Sequence, residues 1–160
     1  MDQRNVALFL ADYDHQVAQI QNIYSILENK SASLSNEKVS SETVESTGYW
    51  LHNLYSACED LFKLVASFWE NSVDSDGTFH KELIRRMILT IEGIRPALLS
   101  EESFQYLNEL RGFRHVFRHA YSYGLDDERV IYLLTKILKY KSFVLNDFTN
   151  FKRKVGSVIK

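Results

Sequence analysis

The chain has 160 residues, 45% hydrophobic and 25% charged, the balance of an ordinary soluble globular domain able to bury a core without staples. Its net charge of −2 excludes a general polyanion binder by bulk charge, so any nucleic-acid contact must come from a local patch. The single cysteine, Cys58, excludes an internal disulfide framework and every multi-cysteine zinc module.

No apolar run approaches the ~18 residues of a membrane span, and no signal peptide is readable after Met1. The expected location is therefore the cytoplasm, with Cys58 reduced and no membrane partner. Six Gly and one Pro are too few for an all-β domain with a turn every few residues. Long helices are the reading for the whole of residues 1–160, as one helical domain with no internal repeat.

The first helix is expected from about Asp2 to Glu28, on the recurrence of Leu8, Tyr13, Val17, Ile20, Tyr24 and Leu27. The serine-rich stretch Lys30 to Ser41 reads as a polar loop, with Ser40 or Ser41 capping the next helix. That second helix, about Thr43 to Asn71, carries Leu51, Leu54, Tyr55, Cys58, Leu61, Phe62, Val65, Phe68 and Trp69. So wide a stripe belongs at the centre of a core, and it makes Cys58 an inert buried thiol. Asp74-Ser75-Asp76-Gly77 ends it.

A shorter helix follows, from Phe79 to about Ile91, before Gly93 and Pro96 break the pattern. Ser100 caps the next, with Glu101 and Glu102 at the positive end of its dipole. It is expected to run to about Tyr123, with Gly124 in the left-handed C′ position. Asp126 starts the last helix. There Val130, Leu134, Ile137, Val144, Phe148, Phe151 and Val155 keep a four-three rhythm with Lys141 in one slot, and Ile131, Leu138 and Leu145 form a parallel row. That wide face suits a helix bundle better than a two-stranded coil.

Residues 111–123 read Arg-Gly-Phe-Arg-His-Val-Phe-Arg-His-Ala-Tyr-Ser-Tyr. Arg111, Arg114, His115, Arg118 and His119 crowd nine residues that hold no acid, while Phe113, Val116, Phe117 and Ala120 must face a core. Arginine offers a planar fork to phosphate, and histidine passes protons near neutral pH. Arg plus His without acids or Cys is what metal-free phosphodiester cleavage wants. The bland alternative is a solvated basic face with a hydrogen-bonded histidine.

On a straight helix Arg114 and Arg118 stand about 40° apart and Tyr121 about 20° to the other side of Arg114, whereas His119 lies about 140° away. Arg114 and His119 therefore meet at one group only if the helix bends, if Arg114 reaches around, or if two copies dock across a two-fold axis. His115 and His119 stand at a metal-clamping spacing, but the flanking arginines repel a cation. No metal and no cofactor are expected.

Other polar residues read more simply. Glu59 and Asp60 are set to pair with Lys63 on their own helix, a buried pairing of Glu59 with Arg114 being the alternative. Lys152-Arg153-Lys154 and Lys160 read as a frayed, solvated terminus rather than an RNA guide. His15, His52 and His80 are isolated and suggest no chemistry.

The run Arg114-His115-Val116-Phe117-Arg118-His119-Ala120-Tyr121 resembles the Arg-x4-His-x-Tyr motif of the HEPN superfamily, most closely that of HepT-type toxins of toxin–antitoxin pairs. Leu51-His52-Asn53-Leu54-Tyr55 with Cys58-Glu59-Asp60-Leu61-Phe62 resembles their second helix, and Phe79 to Val130 their central region. The resemblance implies an all-α bundle of four to five helices, a homodimer with catalytic helices at its interface, and metal-independent RNA cleavage by a type VII-like toxin.

By the same resemblance Arg114 and His119 match the catalytic pair, with His115, Arg118 and Arg111 supporting or binding RNA. Tyr121 matches the tyrosine that a partner minimal nucleotidyltransferase, the antitoxin, modifies with AMP. The partners implied are an RNA substrate, transfer or messenger RNA, and that antitoxin. The alternative is a non-catalytic HEPN-like binding partner or substrate-binding subunit of a nucleotidyltransferase.

Overall fold

The apolar stripe of the second long helix organises the molecule. The computed structural model describes residues 2–36, 39–71, 79–120 and 124–158. Within them run α1 (Gln3–Asn36), α2 (Ser41–Glu70), α3 (Phe79–Met87), α4 (Glu101–Arg118), α5 (Asp127–Lys139) and α6 (Lys141–Val158). Leu51, Leu54, Tyr55, Cys58, Leu61, Phe62 and Val65 of α2 are buried, and α2 packs against α1, α3, α4 and α5. Burying a large apolar side chain contributes roughly 1.5–3 kcal/mol, so this face outweighs any surface pair. Cys58 is fully enclosed, and burial pushes its thiol well above the usual range. Among the described residues no helix is long and apolar enough to cross a membrane.

The caps lie where short polar side chains announce them. Ser40 Oγ accepts from the Thr43 amide at 3.2 Å, and Asp126 from that of Glu128 at 3.1 Å. Ser100 Oγ accepts from the Ser103 amide at 3.3 Å and donates to Asp147 Oδ2 at 2.7 Å, which ties the start of α4 to α6. Gly124 adopts a φ of 73°, the left-handed conformation that costs glycine nothing, but it is not the C′ residue of α4, which ends at Arg118.

Apart from the end of α4, five boundaries or faces differ from the sequence expectation. First, α1 continues through the serines to Asn36. Leu34 still packs on the core and Lys30 Nζ bonds Ser46 Oγ of α2 at 2.6 Å, so tertiary contact overrides weak local propensity. Second, Leu8 is 58% exposed, because Val6, Phe9 and Tyr13 take the inward positions and Phe9 stacks on Phe68 at 4.4 Å.

Third, α3 stops at Met87 rather than Ile91, since the Met87 carbonyl accepts from the amides of Leu98 and Leu99 at 2.8 and 3.0 Å. Fourth, the expected last helix is two, parted at Tyr140 (φ −106°, ψ 12°). The buried row from Val130 to Val155 crosses the break because only one residue intervenes. Lys141 does not enter the core: its ammonium pairs with Glu28 and lies 5.8 Å from the Tyr24 ring centre. Fifth, Lys152, Arg153 and Lys154 are not frayed but helical, with Lys152 Nζ 2.7 Å from Asp14 Oδ2. Asp74 to Gly77 and Lys160 fall outside the described residues.

A buried ionic group closes one end of α2. Glu70 pairs with Arg86 of α3 and with Arg95. Arg95 Nε donates to Glu70 Oε1 at 2.7 Å, and its terminal nitrogens reach Glu70 and the carbonyls of Arg86, Leu89 and Pro96. All five N–H groups of this fully enclosed guanidinium thus have acceptors. Burial, then the charge of Arg86, lowers Arg95 to about 10, still protonated at neutral pH.

Candidate functional site

The basic segment occupies the C-terminal half of α4. Leu107, Leu110 and Phe113 turn into the core and Val116 and Phe117 are half-buried. Arg111, Arg114 and Arg118, at steps of three and four, share a stripe along the flank of that buried face. Phe117 stacks on His52 of α2 with ring centres 5.1 Å apart. Burial first, then the charges of Arg114 and Arg118, hold His52 below the ordinary imidazole range.

The helix ends at Arg118, short of the expected Tyr123. His119 leaves helical geometry (φ −105°, ψ 9°), and its amide is shared between the carbonyls of His115 at 3.2 Å and Val116 at 3.3 Å. This tightened turn brings the His115 and His119 ring centres to 4.4 Å. Arg111, Arg114, His115, Arg118 and His119 then line one cleft of about 200 Å³, with His80 of α3 as its sixth wall. Of the three ways in which Arg114 and His119 could share a site, the change of backbone at the end of α4 suffices within one chain. Tyr121, like Tyr123, lies outside the described residues.

Behind the cleft is Glu59, 2% exposed and on the apolar face of α2. Both of its expected pairings exist at once. Lys63 Nζ is 3.2 Å away on the same helix and 3.5 Å from Asp60. Arg114 Nη1 donates to the two carboxylate oxygens of Glu59 at 3.2 and 3.3 Å. The third partner, His80, has Nδ1 2.7 Å from Oε2. Burial pushes the Glu59 carboxyl up, but bonding and charge from His80 and then Lys63 outweigh it and hold the group below its usual range. Glu59 is therefore an ionised, buried carboxylate with cationic or donor partners on α2, α3 and α4.

His80 is the residue that sequence reasoning missed. Nothing in Phe79-His80-Lys81 marks it, and its partner is 21 positions away. The usable signal was Glu59 itself, a carboxylate inside the run Leu54 to Phe62, since a charge at a buried position demands a counter-charge from elsewhere. Arg111 contributes more modestly: its Nε bonds Asn108 Oδ1 at 3.0 Å while the residue lines the cleft. Among the described residues no three His, Cys, Asp or Glu side chains converge in a way that could hold a metal ion.

An all-α bundle with no strand among the described residues is consistent with the HEPN class. Within that class the chain belongs to the HepT-like family. The family model described as HepT-like protein matches residues 46–155, which span α2 to α6 and include Glu59, His80 and the whole of Arg111–His119. Members of this family are HEPN proteins related to toxin–antitoxin pairs. No curated protein and no solved structure matches the chain.

Proposed function

We propose that this protein is a metal-independent endoribonuclease, the toxin of a toxin–antitoxin pair. The observation that carries the reading is the convergence of Arg114 and His119 on one cleft walled by further cationic and proton-transferring side chains. In the reaction a ribose 2′-oxygen bonds to the adjacent phosphorus as the P–O5′ bond breaks. The products are a 2′,3′-cyclic phosphate and a 5′-hydroxyl. His119 serves this as general acid or base, a role worth roughly 10²–10⁴-fold. Arg114 stabilises charge on the pentavalent phosphate. Arg111 and Arg118 bind flanking phosphates, with His115 supporting.

The protein acts as a homodimer whose basic helices face one another, so that an RNA strand meets two clefts. A cognate minimal nucleotidyltransferase neutralises it by transferring AMP to Tyr121. Added phosphate three residues beyond Arg118 places negative charge against the arginines that would hold RNA.

Purified protein incubated with total RNA in chelator, wild type beside His119→Ala, tests this reading. Cleavage by wild type alone, leaving 2′,3′-cyclic ends, is the expected result. An inert wild type whose intact mass shows Tyr121 unmodified would overturn the toxin reading and favour a non-catalytic partner of a nucleotidyltransferase.

A further inference from the structure

His80 stands in the cleft without belonging to the basic segment of α4, and its surroundings give it more than a lining role. Its side chain is 41% exposed, while its Nδ1 turns to the buried carboxylate of Glu59 at 2.7 Å. An ionised carboxylate only accepts, so the proton of that bond sits on Nδ1. In the neutral ring this leaves Nε2 as the unprotonated, basic nitrogen of a side chain that lines the cleft. Arg114 is fixed by the same carboxylate, with its Nη1 3.3 Å from that same Nδ1, a close approach of two donors that share one acceptor group rather than a bond between them. The guanidinium and the imidazole are thus set side by side by one buried group. Cleavage through a 2′-oxygen needs two proton transfers, one from the nucleophile and one to the leaving oxygen, and the α4 segment supplies no carboxylate-backed imidazole for the first.

We infer that His80, oriented by Glu59, is the general base of the cleavage reaction, and that His119 is the acid. This rests on the ribonuclease reading above. His80 Nε2 takes the proton of the ribose 2′-hydroxyl as the 2′-oxygen bonds to phosphorus. The P–O5′ bond breaks and His119 gives a proton to the departing 5′-oxygen, so one proton enters the enzyme and one leaves. Glu59 holds Nδ1–H and balances the imidazolium that forms, the part a buried carboxylate plays behind any base histidine. It is a positioning residue; His80 is the group that meets substrate.

The test uses a leaving group that needs no acid. A cleavage site is first mapped with the wild type on a randomised single-stranded RNA pool in chelator. It is then built into two oligonucleotides, one natural and one with sulfur replacing the bridging 5′-oxygen. His119→Ala should be slow on the natural strand and recover at least about tenfold on the sulfur strand, because a thiolate departs unprotonated. His80→Ala should lose roughly 10²–10⁴-fold on both strands and regain activity with added imidazole. His80→Gln, whose amide can still donate to Glu59, should match His80→Ala if proton transfer rather than packing is lost. Glu59→Gln should lower the rate, and lower it less in the His80→Ala background, as expected of a group acting through His80.

The inference is overturned if wild type cleaves and His80→Ala stays within about threefold of it, or if the sulfur strand rescues His80→Ala as it does His119→Ala. A wild type of unmodified intact mass that cleaves neither the pool nor total RNA removes the ribonuclease reading itself, and that result is in hand before any variant is made.

Discussion

Two glutamates on α2, Glu59 and Glu70, are about three turns apart and build the same kind of group with opposite outcomes. Each is nearly buried, and each takes one partner from α3 and one arginine from further along the chain. Around Glu70 everything is closed: the Arg95 side chain is 0% exposed, and its five N–H groups all have acceptors. Around Glu59 the carboxylate is satisfied but its partners are not. The Arg114 side chain is 19% exposed, bonds the carboxylate through Nη1, and keeps a buried Nε with no partner among the described residues. His80 lines the cleft with a side chain 41% exposed. A saturated buried ion group is a staple; one whose partners are themselves part-exposed at a cleft is equipped to act on a ligand.

Variants can break this contrast. The largest effect is expected for His119→Ala, with RNA cleavage down roughly 10²–10⁴-fold, while the urea midpoint barely moves because the side chain lies at an exposed helix end. Next, Arg95→Ala should destabilise the fold by about 3–5 kcal/mol, because it leaves buried Glu70 with Arg86 alone and takes the buried donor away from the carbonyls of Arg86, Leu89 and Pro96. Urea denaturation reads this directly, and a loss under about 1 kcal/mol would remove the staple from the account.

Ser100→Ala should cost about 1 kcal/mol by the same measurement, since it removes a cap and the hydroxyl bond to Asp147, while the amide bond to Asp147 at 2.8 Å remains, at the end of α4 remote from the cleft. The smallest effect is one of pH. Glu59 is held below its usual range in the fold, so its contribution is complete above the unfolded carboxylate value of about 4.3 and is lost as pH falls through the lower folded value. Glu59→Gln should therefore flatten the acid side of the stability curve below about pH 4.3. An unchanged slope there would mean that the fold does not hold the Glu59 carboxyl below its ordinary range.

Local chemistry made much of the fold legible. Ser40, Ser100, Asp126 and Gly124 each carry a conformational preference that acts within a few residues, and each does what its type dictates. The wide stripe of α2 placed that helix at the centre for the same reason. What stayed hidden depends on contacts distant in sequence. The extension of α1 rests on α2, and the end of α3 on amides eleven and twelve residues downstream.

The site divides in the same way. Arg111, Arg114, His115, Arg118 and His119 are close in sequence and could be named from it. Their meeting in one cleft goes with a change of backbone at His119, which no residue type announces. His80 and its link to Arg114 through Glu59 join three helices over 55 residues, beyond what periodicity can reach.

The most direct measurement takes Arg114→Ala beside wild type and reads two quantities, the rate of RNA cleavage in chelator and the free energy of unfolding. Removing a donor aimed at transition-state charge should slow cleavage about 10²–10³-fold. Glu59 keeps His80 and Lys63 as partners, so stability should fall by less than Arg95→Ala costs. Cleavage equal to wild type together with a loss of about 3 kcal/mol or more would make the Glu59 group a second staple and contradict the account.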